Sequence, residues 1–314
     1  VTEFWTRLGS DERLYAKYKA IDPATLNTEQ KQAHKNALRG FVLGGAELQG
    51  AAKERYAAIQ ERLAEITQKF SENTLDATDK FALYVSEDQL KGVPADVVQA
   101  TRDAAQKEGQ EGHRLSLKMP VYLPVMQFAD SGALREQLYK AYVTRASDQA
   151  PEDFKHFDNT PLMKEILALR QEEARLLGFA NFAEVSLANK MAPSPSHVIS
   201  FLRDLAGRAR PYAQRDLAEL RAFARDSLEL DKVEPWDTPF VSEKLREARY
   251  AYSDDEVKRY FTEPRVLAGL VEVIEVLFDV RLHDQAVSRW HDDVRALRVD
   301  SPAGQTLGYL YLDL

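Results

Sequence analysis

The segment AAKERYAAIQERLAEITQKF, residues 51–70, carries the clearest helical pattern in the chain. Its apolar residues recur at alternating steps of four and three positions. They are Ala52, Tyr56, Ile59, Leu63, Ile66 and Phe70. This spacing lines them up along one narrow face of an α-helix, which then packs against another helix. Because the pattern is short for a coiled coil, it predicts an internal helix pair, with a coiled-coil partner site as the alternative.

Helix signals continue on both sides of this segment. Before it, Asn27 and Gln30 have the spacing of a capping box at the start of a helix that ends at a glycine pair. After it, Thr160 and Pro161 open a helix that stops at Gly178, since proline is tolerated in the first helical turn. Further helices are predicted over residues 134–146, 242–252, 254–261 and 266–278.

A proline interrupts another helical run. Apolar residues recur at helical spacing from Val198 to Phe223, and Pro211 lies between them. The sequence PSPS at residues 193–196 precedes this run as a linker or a cap. Proline removes one backbone hydrogen bond and its ring clashes with the preceding turn. We therefore expect a kink or a break near Arg210.

Strand signals are few. A short candidate covers residues 114–118, and a β-hairpin near the C-terminus covers about 294–314, with a turn at 301–304. The fold class predicted is mainly α with this one small hairpin. No internal domain boundary is assigned within residues 1–314.

The last predicted strand alternates strictly. Leu310 and Leu312 fall on one face, and Tyr309 and Tyr311 fall on the other. A two-stranded hairpin is marginally stable in water, so this sheet is expected to gain further strands. A natural terminus rarely falls at the last apolar residue of a strand, and the chain opens with Val1 rather than methionine, so both ends are interpreted as cut ends.

Composition limits the classes of function. Of the 314 residues 42 are Lys or Arg and 50 are Asp or Glu, and the signs alternate along the chain, which argues against a nucleic-acid partner. No stretch reaches the roughly 18 apolar residues of a membrane span, so a cytoplasmic protein without a membrane partner is expected. There is no cysteine, so any metal would need His, Asp or Glu ligands.

No reaction centre is recognisable from residue types and spacing. None of the six histidines lies in H-E-x-x-H, the pattern that places two imidazoles one helical turn apart beside a glutamate base. His283 and His291 have acidic neighbours but no histidine partner, so structural or surface roles are expected. The acidic pair Glu172 and Glu173 is interpreted as a solvated helix face. There is also no G-x-S-x-G elbow and no phosphate-binding glycine loop.

Many separate segments nevertheless match one family in order and interval. They are PVYLPVM (120–126), ALREQLYKAY (133–142), TRASDQ (144–149), EILALR (165–170), LLGFANFAE (176–184), LANKMA (187–192), PWD (235–237), KRYF (258–261), VLAGL (266–270), WHDDVR (290–295) and GYLYLDL (308–314). On these segments the chain resembles the oligopeptidase A and thimet oligopeptidase family of zinc metallopeptidases. Phe240 and Val241 replace a tyrosine pair common in that family, and Thr262 replaces a proline.

The resemblance implies a mainly helical, two-lobed peptidase whose deep channel admits short peptides. In that family the H-E-x-x-H helix and a later glutamate ligand follow the strand that here includes Leu312, so the zinc ligands and the catalytic glutamate lie beyond this chain. Zinc in the parent enzyme polarises the scissile carbonyl and activates water. No catalytic or metal-binding residue is therefore assigned within residues 1–314.

The resulting hypothesis is that residues 1–314 are an incomplete portion of a cytoplasmic zinc oligopeptidase, supplying channel wall and scaffold and inactive alone. Its partners are short peptides and the missing C-terminal part of the same protein. Tyr309 and Tyr311 are candidates for bordering the substrate cleft, with ordinary sheet packing as the alternative. The competing hypothesis is a naturally truncated, non-catalytic helical module that binds peptides. A helical repeat scaffold is disfavoured because no fixed period is present.

Overall fold

The computed structural model describes residues 2–251 and 254–313. Its α-helices are α1 (Thr2–Gly9), α2 (Glu12–Lys19), α3 (Thr28–Leu43), α4 (Ala51–Lys80), α5 (Ala95–Lys107), α6 (Met119–Phe128), α7 (Gly132–Thr144), α8 (Thr160–Leu176), α9 (Phe182–Leu187), α10 (Pro195–Leu228), α11 (Thr238–Tyr250), α12 (Asp254–Lys258) and α13 (Glu263–Phe278). The strands are β1 (Leu83–Val85), β2 (His113–Leu115), β3 (Arg281–Asp284), β4 (Arg295–Asp300) and β5 (Thr306–Leu312). The chain divides into two compact units, Val1–Leu245 and Arg246–Leu314.

The first unit contains the helix pair that the heptad-like spacing predicts. In α4, Ile59 and Ile66 are almost completely buried, and they cluster with Leu169 of α8. Two bidentate ion pairs flank the cluster. Arg55 binds Glu172 with nitrogen–oxygen distances of 2.6 and 2.7 Å, and Arg62 binds Glu165 at 2.6 and 3.0 Å. The internal helix pair is confirmed.

Glu173 corrects the expectation of a solvated acidic pair. Glu172 is half-exposed beside Arg55, but the Glu173 residue is only 7% exposed on the buried side of α8. Burial raises the pKa of the Glu173 carboxyl, because the charged form loses hydration. Consecutive helical residues point in different directions, so the two acids of one sequence pair lie in different environments.

A second core in the first unit surrounds the antiparallel pair β1 and β2. Leu83 lies opposite Leu115, and the fully buried side chains include Leu115 of β2, Val125 of α6 and Leu138 of α7. The strand candidate at 114–118 thus corresponds to β2, which begins one residue earlier and ends at Leu115.

One buried ion pair fixes α7 to the turn before α11. An Arg135 guanidinium nitrogen lies 2.6 Å from an Asp237 carboxylate oxygen, and their side chains are 1% and 8% exposed. Arg135 also donates 2.5 Å to the Ala129 carbonyl and lies over the Phe240 ring, 4.1 Å from its centroid. The second Asp237 oxygen accepts from the Glu234 N–H at 3.1 Å. Both charges therefore have several partners despite their burial.

Helix α10 contradicts part of the prediction at Pro211. The helix runs without a break from Pro195 to Leu228, so the expected break near Arg210 is wrong. Pro211 removes the hydrogen bond to the Gly207 carbonyl, but this part of the helix is solvent-exposed, so water can bind that oxygen. The expected cap is confirmed, because the Ser194 side chain accepts from the His197 N–H.

The second unit is a three-stranded antiparallel sheet with α13. β3 pairs with β4 and β4 pairs with β5, in the spatial order β3-β4-β5. The predicted hairpin is confirmed as β4 and β5, and the sheet has a third strand before it, β3, which the sequence analysis missed. Within residues 2–251 and 254–313, no strand pairs with the outer edge of β5.

The fold class is confirmed as mainly helical with a small hairpin near the C-terminus. The capping box at Asn27 and Gln30 is present, with reciprocal hydrogen bonds of 2.8 and 3.0 Å. Position 252, the last residue of one predicted helix, lies outside the described residues. Among those that are described, no helix combines the length and the apolarity that crossing a bilayer requires.

Candidate functional site

The sheet of the second unit has two chemically different faces. On one face, Leu282, Leu297 and Leu312 line a hollow of about 470 Å³ together with Leu267 and Val271 of α13. Side chains alternate along a strand, so Tyr309 and Tyr311 belong to the opposite face. Both are solvent-exposed, by 54% and 39%. The structure therefore places the two predicted site tyrosines together on the face away from α13.

Cross-strand register adds two basic side chains to the tyrosine face. Arg298 of β4 lies opposite Tyr309, and His283 of β3 lies opposite Arg298. Residues directly opposite each other in an antiparallel pair project to the same side, so the three form a row across the sheet. The His283 side chain is 54% exposed. Tyr309 and His283 are exposed in this row, whereas the Arg298 guanidinium already donates to Asp300 and Gln285.

A second group of side chains surrounds Tyr311. The Trp290 ring centroid lies 5.5 Å from that of Tyr311, with the planes inclined by 35°. The Trp290 indole N–H donates to an Asp313 carboxylate oxygen at 3.0 Å. Tyr311 is thus held by a neighbouring ring, whereas Tyr309 is more exposed.

Asp300 binds the arginine of this row. Its carboxylate accepts hydrogen bonds from the Arg298 guanidinium at 3.0 and 3.1 Å and from the Thr306 hydroxyl at 3.0 Å. The nearest His283 nitrogen lies 3.9 Å away. The hydrogen bond from Arg298 is the largest cause that lowers the pKa of Asp300. An aspartate that ionises more readily in the folded state stabilises the fold at neutral pH.

Asp300→Asn is expected to lower the thermal unfolding midpoint of the second unit at pH 7. The native contribution is present above the unfolded-state pKa of aspartate and disappears as pH falls through the lowered folded-state pKa. The gap between variant and parent should therefore close in acid. Circular dichroism melts across pH measure it, with Asp293→Asn as the control, since that side chain is 87% exposed. A gap that persists unchanged in acid would contradict the role of the ionised carboxylate.

The six histidines do not converge. His113 is buried, with Nδ1 3.1 Å from both the Thr101 hydroxyl and the Val98 carbonyl, and His34 Nε2 lies 2.7 Å from the Tyr18 carbonyl. Over the part of the chain that the structure describes, no three His, Asp or Glu side chains come close enough to hold a metal ion. The described His, Asp and Glu side chains therefore do not fit a zinc site, which needs three protein ligands.

Sequence reasoning missed Trp290, Arg298 and Asp300 as parts of this face. Their proximity to the tyrosines depends on the pairing of β4 with β3 and β5, which no local motif encodes. The spacing of two residues between Arg298 and Asp300 in a predicted strand could have placed them on one face, and their ion pair is present in the structure.

Comparison with known proteins places the chain in a class. The model of peptidase family M3 matches residues 125–314, so the chain belongs to that family, and the resemblance seen in the sequence is confirmed. Over 320 residues it is 43% identical to oligopeptidase A of Salmonella typhimurium strain LT2 and 42% identical to that of Escherichia coli K12. Each alignment covers 100% of this chain and 47% of the relative.

A plant relative also matches nearly the whole of this chain over less than half of its own length. The organellar (chloroplastic/mitochondrial) oligopeptidase A of Arabidopsis thaliana is 35% identical over 327 residues, which cover 99% of this chain and 40% of the relative. The chain thus spans about half the length of the curated relatives that it matches.

Proposed function

We propose that residues 1–314 are part of a zinc metallo-oligopeptidase that hydrolyses short peptides internally, and that this part supplies channel wall and scaffold. The observation that carries the proposal is the 43% identity to oligopeptidase A along the whole chain, together with coverage of 47% of that relative. The zinc ligands and the catalytic glutamate belong to the residues that follow in the longer polypeptide. The proposed location is cytoplasmic.

The described residues provide the scaffold role with a physical basis. The first unit is held by the α4–α8 pair, the core around β1 and β2, and the Arg135–Asp237 ion pair. The second unit has an exposed polar and aromatic face at Tyr309 and an unpaired outer edge at β5. Within the second unit, an exposed hydrogen-bonding face that ends at an unpaired strand edge is suited to positioning an extended peptide.

Hydrolysis of a quenched fluorescent peptide of about ten residues tests the function. We expect the full-length polypeptide to cleave it and to lose essentially all activity on chelation, with recovery on addition of zinc. The 314-residue chain alone should show no cleavage above the buffer. Chelator-resistant cleavage by the full-length polypeptide contradicts the zinc chemistry, and cleavage by the short chain contradicts its scaffold role.

Tyr309 is the proposed substrate contact that can be tested most cleanly. Tyr309→Ala in the full-length polypeptide is expected to reduce kcat/KM for short peptides about tenfold, a loss of about 1.4 kcal/mol, through a higher KM. Tyr84→Ala is the matched control, since Tyr84 is a 41% exposed strand tyrosine in the first unit. Equal effects of the two variants would contradict a substrate contact at Tyr309.

The second candidate is a naturally truncated module that binds peptides without cleaving them. The unpaired edge of β5 favours it to the extent that an extended peptide could add a strand there. The gene separates the two candidates. A stop codon directly after Leu314 favours the module, and a downstream H-E-x-x-H favours the peptidase.

A further inference from the structure

Helix α13 is apolar on two opposite sides. One side faces the sheet, where Leu267 is buried and lines the hollow with Leu282. The helix is fixed there by Glu275, whose carboxylate accepts the Leu282 N–H at 2.8 Å. A surface helix normally has one apolar face and one polar face, whereas a helix that is apolar all round is buried on both sides.

The other side forms a continuous exposed stripe. Val266, Leu270, Val273 and Leu277 follow one another at steps of four, three and four residues. Their exposed fractions are 48%, 43%, 53% and 71%. Single exposed apolar residues are common on protein surfaces, but a row at this spacing is typical of the contact face between two helices. We refer to these four residues as the α13 stripe.

We propose that the α13 stripe docks an α-helix from the part of the same polypeptide that follows Leu314. The alignments leave somewhat more than half of each relative uncovered, and the proposed zinc-binding part of the polypeptide would supply the helix. The inference rests on the proposed function only in that the polypeptide continues.

The size of the second unit supports an intrachain partner. Among its described residues, the unit Arg246–Leu314 has one three-stranded sheet with α13 on one face, besides the short helix α12 and the end of α11. A unit this small buries little apolar surface, so a further layer that covers the α13 stripe would add to its stability. A second helix on the stripe would make α13 the middle layer of a sheet–helix–helix stack and would bury its second apolar side.

Site-specific photo-crosslinking of the full-length polypeptide tests the proposal. A benzoyl-phenylalanine placed at position 270 is expected to crosslink within the same molecule to a residue beyond 314, identified by mass spectrometry. The matched control is the same probe at Leu75, a 60% exposed leucine of α4 with the polar Ser71 and Asp79 one helical turn away. That probe should give no specific product.

Other outcomes overturn the docking. Crosslinks between two molecules assign the stripe to a second copy of the chain, and a product no stronger than at position 75 leaves the stripe without a partner. As a second measurement, Leu270→Glu should lower the melting temperature of the full-length polypeptide by about 4 °C or more, whereas Leu75→Glu should not. Equal melting temperatures for both variants contradict the proposal.

Peptidase activity of the unsubstituted preparation separates this inference from the proposed function. An intrachain crosslink in a protein without zinc-dependent peptidase activity supports the docking and overturns the function. Zinc-dependent activity without the crosslink supports the proposed function and overturns the docking.

Discussion

Arg135→Ala is expected to reduce the free energy of unfolding by about 3–5 kcal/mol, because it leaves the Asp237 carboxylate buried without its cation. Such a loss is a large share of the roughly 5–15 kcal/mol that stabilises a typical domain. Arg135 also fills space beside the Phe240 ring, so its removal costs packing as well as charge. Urea unfolding followed by circular dichroism measures the change.

Two further variants make the Arg135 result specific. Arg102→Ala breaks the exposed ion pair with Glu87, whose side chains are 38% and 71% exposed, and should cost under about 1 kcal/mol. Combining Arg135→Met with Asp237→Leu removes both buried charges and should restore much of the loss. If Arg135→Ala costs no more than Arg102→Ala, the buried pair does not hold α7 in place.

Ile59→Ala is expected to cost about 2–5 kcal/mol, because it opens a cavity in the α4–α8 seam. Ile59 is completely buried and clusters with Ile66 and Leu169. The control is Leu75→Ala on the same helix, where a 60% exposed side chain should change stability by no more than about 0.5 kcal/mol. A loss for Ile59→Ala near that of the control would show that the seam is not a core.

The sequence predicted best those elements whose signals are local. The capping box at Asn27 and the apolar seam of α4 depend on residues a few positions apart, and both are present in the structure. Helix α6 was not predicted, although Pro120 falls in its first turn, and Pro124 inside it is locally unfavourable to a helix. Tertiary packing around Val125 outweighs that local cost.

Two of the errors share a cause, because the environment of Glu173 and the pairing of β3 depend on distant parts of the chain. Glu173 looked solvated beside Glu172, but α4 covers it when the two helices pair. β3 has only four residues, two of them charged at neutral pH, and it forms because β4 offers a pairing edge.

In the candidate site, too, the local pattern was predicted and the long-range pairing was not. Alternation alone predicted that Tyr309 and Tyr311 share a face. The Arg298–Asp300 pair beside them and the Trp290 ring against Tyr311 follow from strand register, which the sequence did not specify. Their role in substrate contact stays a prediction.

Zinc content per polypeptide tests the central claim most directly. After dialysis against zinc-free buffer, elemental analysis of the full-length polypeptide is expected to find about one zinc ion per molecule, and the 314-residue chain should hold far less than one. Stoichiometric zinc on the 314-residue chain would contradict the account, because no metal-ligand cluster occurs in its described residues. A full-length polypeptide that holds no zinc would contradict the assignment of zinc chemistry to the residues that follow.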